Sequence, residues 1–385
     1  MRLLYISSPS FADCDFPLIK SFQNLGVDVT YLICLTPYEL RSTLIDIKKQ
    51  YQHTGIFPAS IYPELREYAD YMDMKQVFVL NRYGRSRKSV SYWKDAIELY
   101  KFVIKGNFDI IHSDLLFSDE KKYIYKFGNF VTTIHDPFPH SGEAWNYNKS
   151  SYNNAIKYSK GIVLLNGTQK DQFCRLWGKV SDRLLINRLG IYENIRSLAK
   201  SGERRLKNNI LFFGRIAPYK GIEFLCEAMK RVIEVIPDAT LTIAGSGNFY
   251  FDVEPYRKLG FLKIYNQYIG MKELAGFLSE TSLTVCPYTD ATQSGVIMTS
   301  FALGRPVIAS NVGGLGEMIE HGRTGLLVPP KDSKALADAI ITLLTDQLEL
   351  VAMERNIEAD YNVGNKSWDV IAKNYIEFYN TIIKA

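Results

Sequence analysis

Two doubly wound α/β domains are what this sequence predicts, and three features predict them. Short β-branched or apolar runs alternate with longer segments of helical spacing along the 385 residues. Several runs are apolar with no alternation, as in Ile162-Val163-Leu164-Leu165; strands covered on both faces of a parallel sheet read that way. The series also starts afresh near residue 208, beyond the polar and charged stretch Ser201-Gly202-Glu203-Arg204-Arg205.

In chain order the expected strands of the first half are Leu3–Ser7, Val27–Leu35, Phe108–Ser113, Phe130–His135, Gly161–Asn166 and Leu184–Leu189. Those of the second half are Asn209–Gly214, Thr240–Gly245, Lys263–Ile269, Leu283–Pro287, Pro306–Ser310 and Gly325–Val328. Helical spacing fills the gaps. Ile222, Leu225, Cys226, Met229 and Val232 recur every three to four residues, and Leu336, Ile340, Ile341 and Leu344 do so behind Asp332, which is placed to cap the first turn. A last helix near Ser367–Ile383 carries Trp368, Ile371, Tyr375 and Phe378 on one face. The expected division is residues 1–190, a linker at 191–207, a second domain at 208–364, and a terminal helix at 365–385 that packs back on the first domain.

Composition narrows the function classes. Hydrophobic residues make up 46% and charged residues 23%, which excludes disordered, collagenous and disulfide-scaffold chains. A net charge of +5 is too weak to argue for nucleic acid, and none is expected as a partner. No apolar run approaches the roughly 18–20 residues of a membrane span. The run from Leu3 to Ile6 stops at Ser7-Ser8-Pro9, too early for a signal peptide, and reads as a buried strand. The five cysteines contain no Cys-x-x-Cys pair and read as free thiols in a reducing cytoplasm. Residues 1–190 hold 25 Lys+Arg and 19 Asp+Glu, a charge of 25 − 19 = +6, so the basic excess lies in the first half. It includes Arg82-Tyr83-Gly84-Arg85-Ser86-Arg87-Lys88, a candidate contact for anionic lipid headgroups or an anionic acceptor at the inner face of a membrane.

The chemistry concentrates in two strand-to-helix turns. Gly214-Arg215-Ile216-Ala217-Pro218-Tyr219-Lys220-Gly221 leaves an apolar strand and enters a helix. Ligands of open α/β sheets bind at such carboxyl ends. Gly214 lets backbone approach a ligand, Arg215 offers a planar fork to phosphate oxygens, and Lys220 adds a compact cation. The second turn, Pro287–Thr299, places Ser294, Gly295 and Val296 at a helix start, where backbone N–H groups favour a phosphate. Together they fit a diphosphate. Asp13-Cys14-Asp15 and Asp70-x-x-Asp73 lie in the other half, so no metal-binding Asp-x-Asp accompanies the diphosphate turns.

These pieces resemble the nucleotide-binding domain of a GT-B-fold glycosyltransferase of the family-4 type (glycosyl transferases group 1). The matching stretches are Gly214-Arg215 with Lys220-Gly221, Ala244-Gly245-Ser246-Gly247, Gly304-x-Pro306-Val307-Ile308-Ala309, Gly313-Gly314 with Glu317, and Gly322-x-Thr324-Gly325-Leu326-Leu327-Val328, over residues 208–345. In the first half, Asp109-Ile110-Ile111-His112 and Thr133-Ile134-His135-Asp136 match strand ends more loosely. The resemblance implies two Rossmann-like domains facing across a cleft, the first binding the acceptor and the second a UDP- or GDP-sugar. It implies retaining, metal-independent sugar transfer to a saccharide or lipid-linked acceptor, as in surface polysaccharide, lipopolysaccharide or glycolipid synthesis, with no cofactor. It implies that His135 faces the donor sugar, that Arg215 and Lys220 hold the diphosphate, and that Glu317 lies near the donor. His112 and Asp114 would line the acceptor side, with His140 a further candidate. The chain departs from the family at the usual Glu-x7-Glu pair, whose positions hold Ala291 and Thr299. Asp290 stands one residue from the first and Thr299 offers the ribose a hydroxyl. A second departure is Ser7-Ser8-Pro9-Ser10, where the family often carries glycines. Two other readings share the architecture: a nucleotide-sugar epimerase, and a degenerate subunit that binds the nucleotide sugar for an active partner.

Overall fold

A computed structural model of the chain describes residues 1–36, 44–47, 51–83, 89–119, 121–138, 149–178, 180–199 and 207–385. Within them the strands form two sheets. The first holds β1 (Arg2–Ser7), β2 (Asp28–Leu35), β3 (Gly55–Pro58), β4 (Val77–Asn81), β5 (Ile110–Ser113), β6 (Asn129–Ile134), β7 (Gly161–Leu164) and β8 (Leu184–Ile186). Their order is β3-β4-β2-β1-β5-β6-β7-β8, parallel throughout except for β3, which runs antiparallel to β4. Leu3 on β1 stands between Val29 on β2 and Ile110 on β5. The second sheet is fully parallel, in the order β11-β10-β9-β12-β13-β14. Its strands are β9 (Asn209–Phe213), β10 (Thr240–Ala244), β11 (Leu262–Tyr265), β12 (Leu283–Cys286), β13 (Val307–Ser310) and β14 (Gly325–Val328).

All twelve expected strands are present, most of them shorter at their carboxyl ends. The difference has a physical cause. Leu189 is buried and Ile269 lines a cleft, so their hydrophobicity serves contacts beyond the sheet. Two strands, β3 and β4, were not expected from the sequence. β3 is a four-residue edge strand bounded by Gly55 and Pro58, with no fully buried position, and β4 is a short run of four apolar residues closed by Asn81.

Helices cover both faces of each sheet, as buried parallel strands require. The helix Ile222–Val235 buries the predicted stripe of Ile222, Leu225, Cys226, Met229 and Val232. Asp332 caps the helix Ser333–Thr345, its Oδ1 accepting from the Ala335 N–H at 2.9 Å. All five cysteines are free thiols, Cys174 half-buried and the others buried. The terminal helix Trp368–Lys384 lies against the first sheet's side of the molecule. Phe378 and Ile382 rest on Gly161 of β7, Tyr375 and Tyr379 face Phe22, and the Trp368 indole donates to the Ile191 carbonyl at 2.8 Å. No described helix is long and apolar enough to cross a membrane.

Candidate functional site

The second sheet reverses its winding between β9 and β12, and crevices form at such reversals outside the carboxyl ends of the strands. A cleft of about 450 Å³ opens there. Beyond β9 the chain swings away at Gly214 (φ +117), passes Arg215 and reaches Lys220 through a short 3-10 turn, Pro218–Lys220. Gly221 then starts the helix in the left-handed region (φ +62), where a Cβ would stand 2.0 Å from the Pro287 carbonyl oxygen. Only glycine satisfies both conditions, and it seats this turn directly on the end of β12.

Lys220 turns its ammonium over the Tyr288 ring, 3.7 Å from the centroid, with the Tyr219 ring at 5.0 Å. Burial pushes its pKa down to about 8, and the Arg215 guanidinium adds to the effect. No described carboxylate pairs with it. On the other wall, beyond β12, Ser294 precedes the helix Gly295–Ala302. Its hydroxyl points to the Tyr288 hydroxyl at 3.4 Å and does not cap the helix, so the first helical amides are left to the cleft. Thr299 reaches the cleft, but its hydroxyl donates to the Gly295 carbonyl at 2.7 Å, leaving its oxygen lone pairs as acceptors.

The fold therefore brings Gly214, Arg215, Lys220, Ser294, Gly295, Val296 and Thr299 around one cleft. Sequence reasoning missed Ser246, Gln267, Tyr268 and Gln293 on the same walls, with Asp13 and Tyr192 from the first sheet's side. Ser246 had a signal, the turn Gly245-Ser246-Gly247. Asp13 and Tyr268 had none, because only the tertiary fold carries them there.

Three candidates lie elsewhere. Asp290 is half-buried in the loop after β12 and is outside the lining of the 450 Å³ cleft. His135 follows β6 in the first sheet, its ring stacked on Phe11 with centroids 4.1 Å apart. Its Nε2 stands 3.1 Å from Asp114 Oδ2. It touches the second sheet's side through Gln293, whose amide donates to the His135 carbonyl at 3.4 Å. Glu317 accepts from the Gly167 N–H at 2.7 Å and from the Thr168 hydroxyl, both in the loop after β7. It lines a neighbouring cleft of about 360 Å³, into which Gln293 also projects.

His112 and Asp114 are buried beneath His135. His112 bonds Thr133 at 2.7 Å and the Tyr379 hydroxyl, and burial pushes its pKa down to about 4, so it is a neutral packing residue. Burial and the nearby Asp114 carboxylate raise Asp15 well above the usual carboxylate range. Asp114 is also buried, but the His135 ring and the Tyr5 hydroxyl at 3.0 Å hold it low. His140, residues 84–88 of the basic stretch, and residues 200–206 of the expected linker lie outside the described residues.

A sequence profile of the glycosyl transferases group 1 family matches residues 207–346. A phosphatidyl-myo-inositol mannosyltransferase of Mycobacterium leprae (strain TN) is 31% identical over 200 residues, 49% of this chain and 52% of that protein. A glycogen synthase of Mycobacterium tuberculosis is 25% identical over 247 residues, 62% of this chain and 56% of that protein. The chain thus spans about half the length of the curated relatives it matches. Among solved structures, HepE of Anabaena in complex with UDP superposes with a TM-score of 0.65 at 17% identity, over 99% of this chain and 100% of that one. Sucrose-phosphate synthase of Thermosynechococcus elongatus gives 0.68 at 16% identity, over 100% of both chains. At these identities the structural likeness is one of fold.

Proposed function

We propose that the chain is a retaining, metal-independent glycosyltransferase of the glycosyl transferases group 1 family using a UDP- or GDP-sugar, a reading supported by the family match over residues 207–346 and by two α/β sheets in the GT-B arrangement. The observation that carries this reading is the 450 Å³ cleft at the winding reversal of the second sheet, with two cations and a helix start converging on it. That volume and lining suit a nucleoside diphosphate.

In the proposed reaction the bond between the anomeric carbon and the diphosphate oxygen breaks, its electron pair leaving with the oxygen. The acceptor hydroxyl oxygen bonds to the anomeric carbon from the same face, and its proton passes to the departing diphosphate. Arg215, Lys220 and the amides at Gly295 and Val296 neutralise the leaving charge, which is electrostatic stabilisation by preset groups. Gly214 lets the diphosphate approach the backbone, and Thr299 accepts a hydrogen bond from the ribose. We assign His135 to the donor sugar, supported by its place at a strand end and its link to the cleft through Gln293. Asp290 is the acidic residue nearest in sequence to the missing first glutamate, and is proposed to act on the sugar from the loop after β12. A UDP-sugar is the favoured donor, because HepE was solved with UDP and with UDP-glucose. The acceptor is a saccharide or a lipid-linked glycan entering from the first sheet's side, at the cytoplasmic face of the membrane.

The test is a thermal-shift series with UDP, GDP, ADP, CMP and their sugar conjugates. A ligand that binds only the folded state raises apparent stability by mass action. One diphosphate should give a clear shift that Arg215→Ala abolishes, and donor turnover should then depend on an added acceptor. Turnover without acceptor would move the assignment to an epimerase. Binding without turnover across a panel of lipid-linked and free saccharides would move it to a non-catalytic subunit, the reading that Ala291 and Thr299 favour. No shift with any nucleotide in folded protein would overturn the donor site.

A further inference from the structure

We infer that the outer face of the helix Val90–Gly106 docks on an anionic lipid surface. The helix connects β4 to β5. Its inner side is accounted for: Leu99 and Val103 pack into the core under the first sheet, Ala96 is buried, and Asp95 pairs with Lys121 at 2.8 Å. Its outer side is apolar and largely exposed. Val90 is 83% exposed, Trp93 51%, Ile97 51% and Ile104 62%. At 3.6 residues per turn these four fall within an arc of about 60°, which makes a stripe along the helix. Scattered exposed apolar residues need no explanation, but a contiguous row does.

The border of the stripe identifies the partner. Lys101, Lys94 and Lys105 follow it within the next arc of about 60°, all three exposed. Lys101 lies 3.4 Å from Glu98, the one acidic side chain on that edge. The neighbouring segment Lys122–Lys126 adjoins through the ring contact of Tyr100 with Phe127. It adds Tyr123, 53% exposed, between Lys122 and Lys126, whose ammoniums stand 6.0 and 5.1 Å from its ring. An apolar stripe edged by lysines, with an aromatic ring at its margin, fits the headgroup boundary of a bilayer that contains anionic lipid. A second copy packed antiparallel across a twofold axis would bring the lysine edges onto each other.

The position gives the contact a use, and that use rests on the transferase reading. In a β-helix-β unit the helix runs back against its strands. Val90 and Trp93 therefore sit toward the carboxyl ends of the first sheet, on the cleft side. A surface-bound enzyme would meet lipid-linked acceptors there.

Cosedimentation with phosphatidylglycerol/phosphatidylcholine vesicles at low salt tests this, with pure phosphatidylcholine vesicles as reference. The expected result is binding to the anionic vesicles that falls with salt. It should drop at least about tenfold in Ile97→Asp/Ile104→Asp, and about 25-fold or more in Lys94→Glu/Lys105→Glu, since each lysine near such a surface is worth about a fivefold change. Unchanged circular dichroism and melting temperature show that the variants fold. Wild-type protein that stays in the supernatant, or a double aspartate variant that binds like wild type, overturns the proposal. So does a concentration-dependent dimer that the aspartate variant dissociates without any vesicle binding, which would give the face to a second copy. UDP binding, measured in parallel, separates the two readings: UDP binding without vesicle binding sinks this one alone, and the reverse sinks only the donor site.

Discussion

Lys220 carries its charge where a cation is poorly solvated. Burial lowers its pKa to about 8, and its compensation is the faces of Tyr288 and Tyr219. Cation–π contact offsets only part of a desolvation cost, so a diphosphate would complete the site. The sign of the pH effect follows. The folded pKa lies below the ordinary lysine value, so the unfolded chain binds the extra proton, and folding stability rises as pH climbs from about 8 toward 10.5. Ligand binding runs the other way. The UDP-induced shift should weaken between about pH 7 and 9 as Lys220 loses its proton, and Lys220→Gln should give a smaller shift with no such slope. A wild-type shift that is flat with pH would remove Lys220 from the phosphate site. In catalysis, loss of either Lys220 or Arg215 should cost on the order of 10²–10³ in kcat.

The terminal helix shows what single elements contribute. Trp368 is buried at its start, donates to the Ile191 carbonyl and covers Gly190, where a Cβ would come within 2.5 Å of its ring. Further along, Tyr379 bonds His112 and Phe378 lies on Gly161. Trp368→Ala should therefore lower unfolding free energy by about 3–5 kcal/mol, read in urea. A loss below about 1 kcal/mol would mean that the helix is not integral to the first sheet's core. Its apolar face was legible in the sequence, but not which residues that face covers, because periodicity gives a stripe and no contacts. The strands divide in the same way. β7 and β9 were legible as unbroken apolar runs, whereas β3 takes its strand state from pairing with β4. The site divides too: Arg215, Lys220 and Ser294–Val296 sit in turns whose chemistry is local. Asp13, Gln267 and Tyr268 reach the same cleft only because distant segments converge.

At the scale of the whole molecule, one strip of hydrogen bonds joins the loops after β6 and β7 to those after β12 and β13. Asn166 donates to the Thr292 carbonyl at 3.2 Å, the Thr292 hydroxyl bonds Asp136, Gln293 reaches the His135 carbonyl, and Glu317 takes both Gly167 and Thr168. Buried apolar residues of both sides also belong to one continuous core, so these polar contacts are only part of the junction; closure over a substrate assembles many active sites. Glu317 therefore has two candidate roles with opposite signatures. Family resemblance implies a contact with the donor. Its observed partners make it a latch that holds the two sheets at closing distance, outside the 450 Å³ cleft. If it is a latch, Glu317→Ala should leave UDP affinity within about twofold and lower kcat about tenfold or more, because the interaction is made in the closed, reacting state. The radius of gyration by solution scattering should increase in the same variant. Calorimetry with UDP decides it: an affinity loss as large as that of Arg215→Ala would make Glu317 a donor ligand, and would mean that the cleft rearranges to reach it.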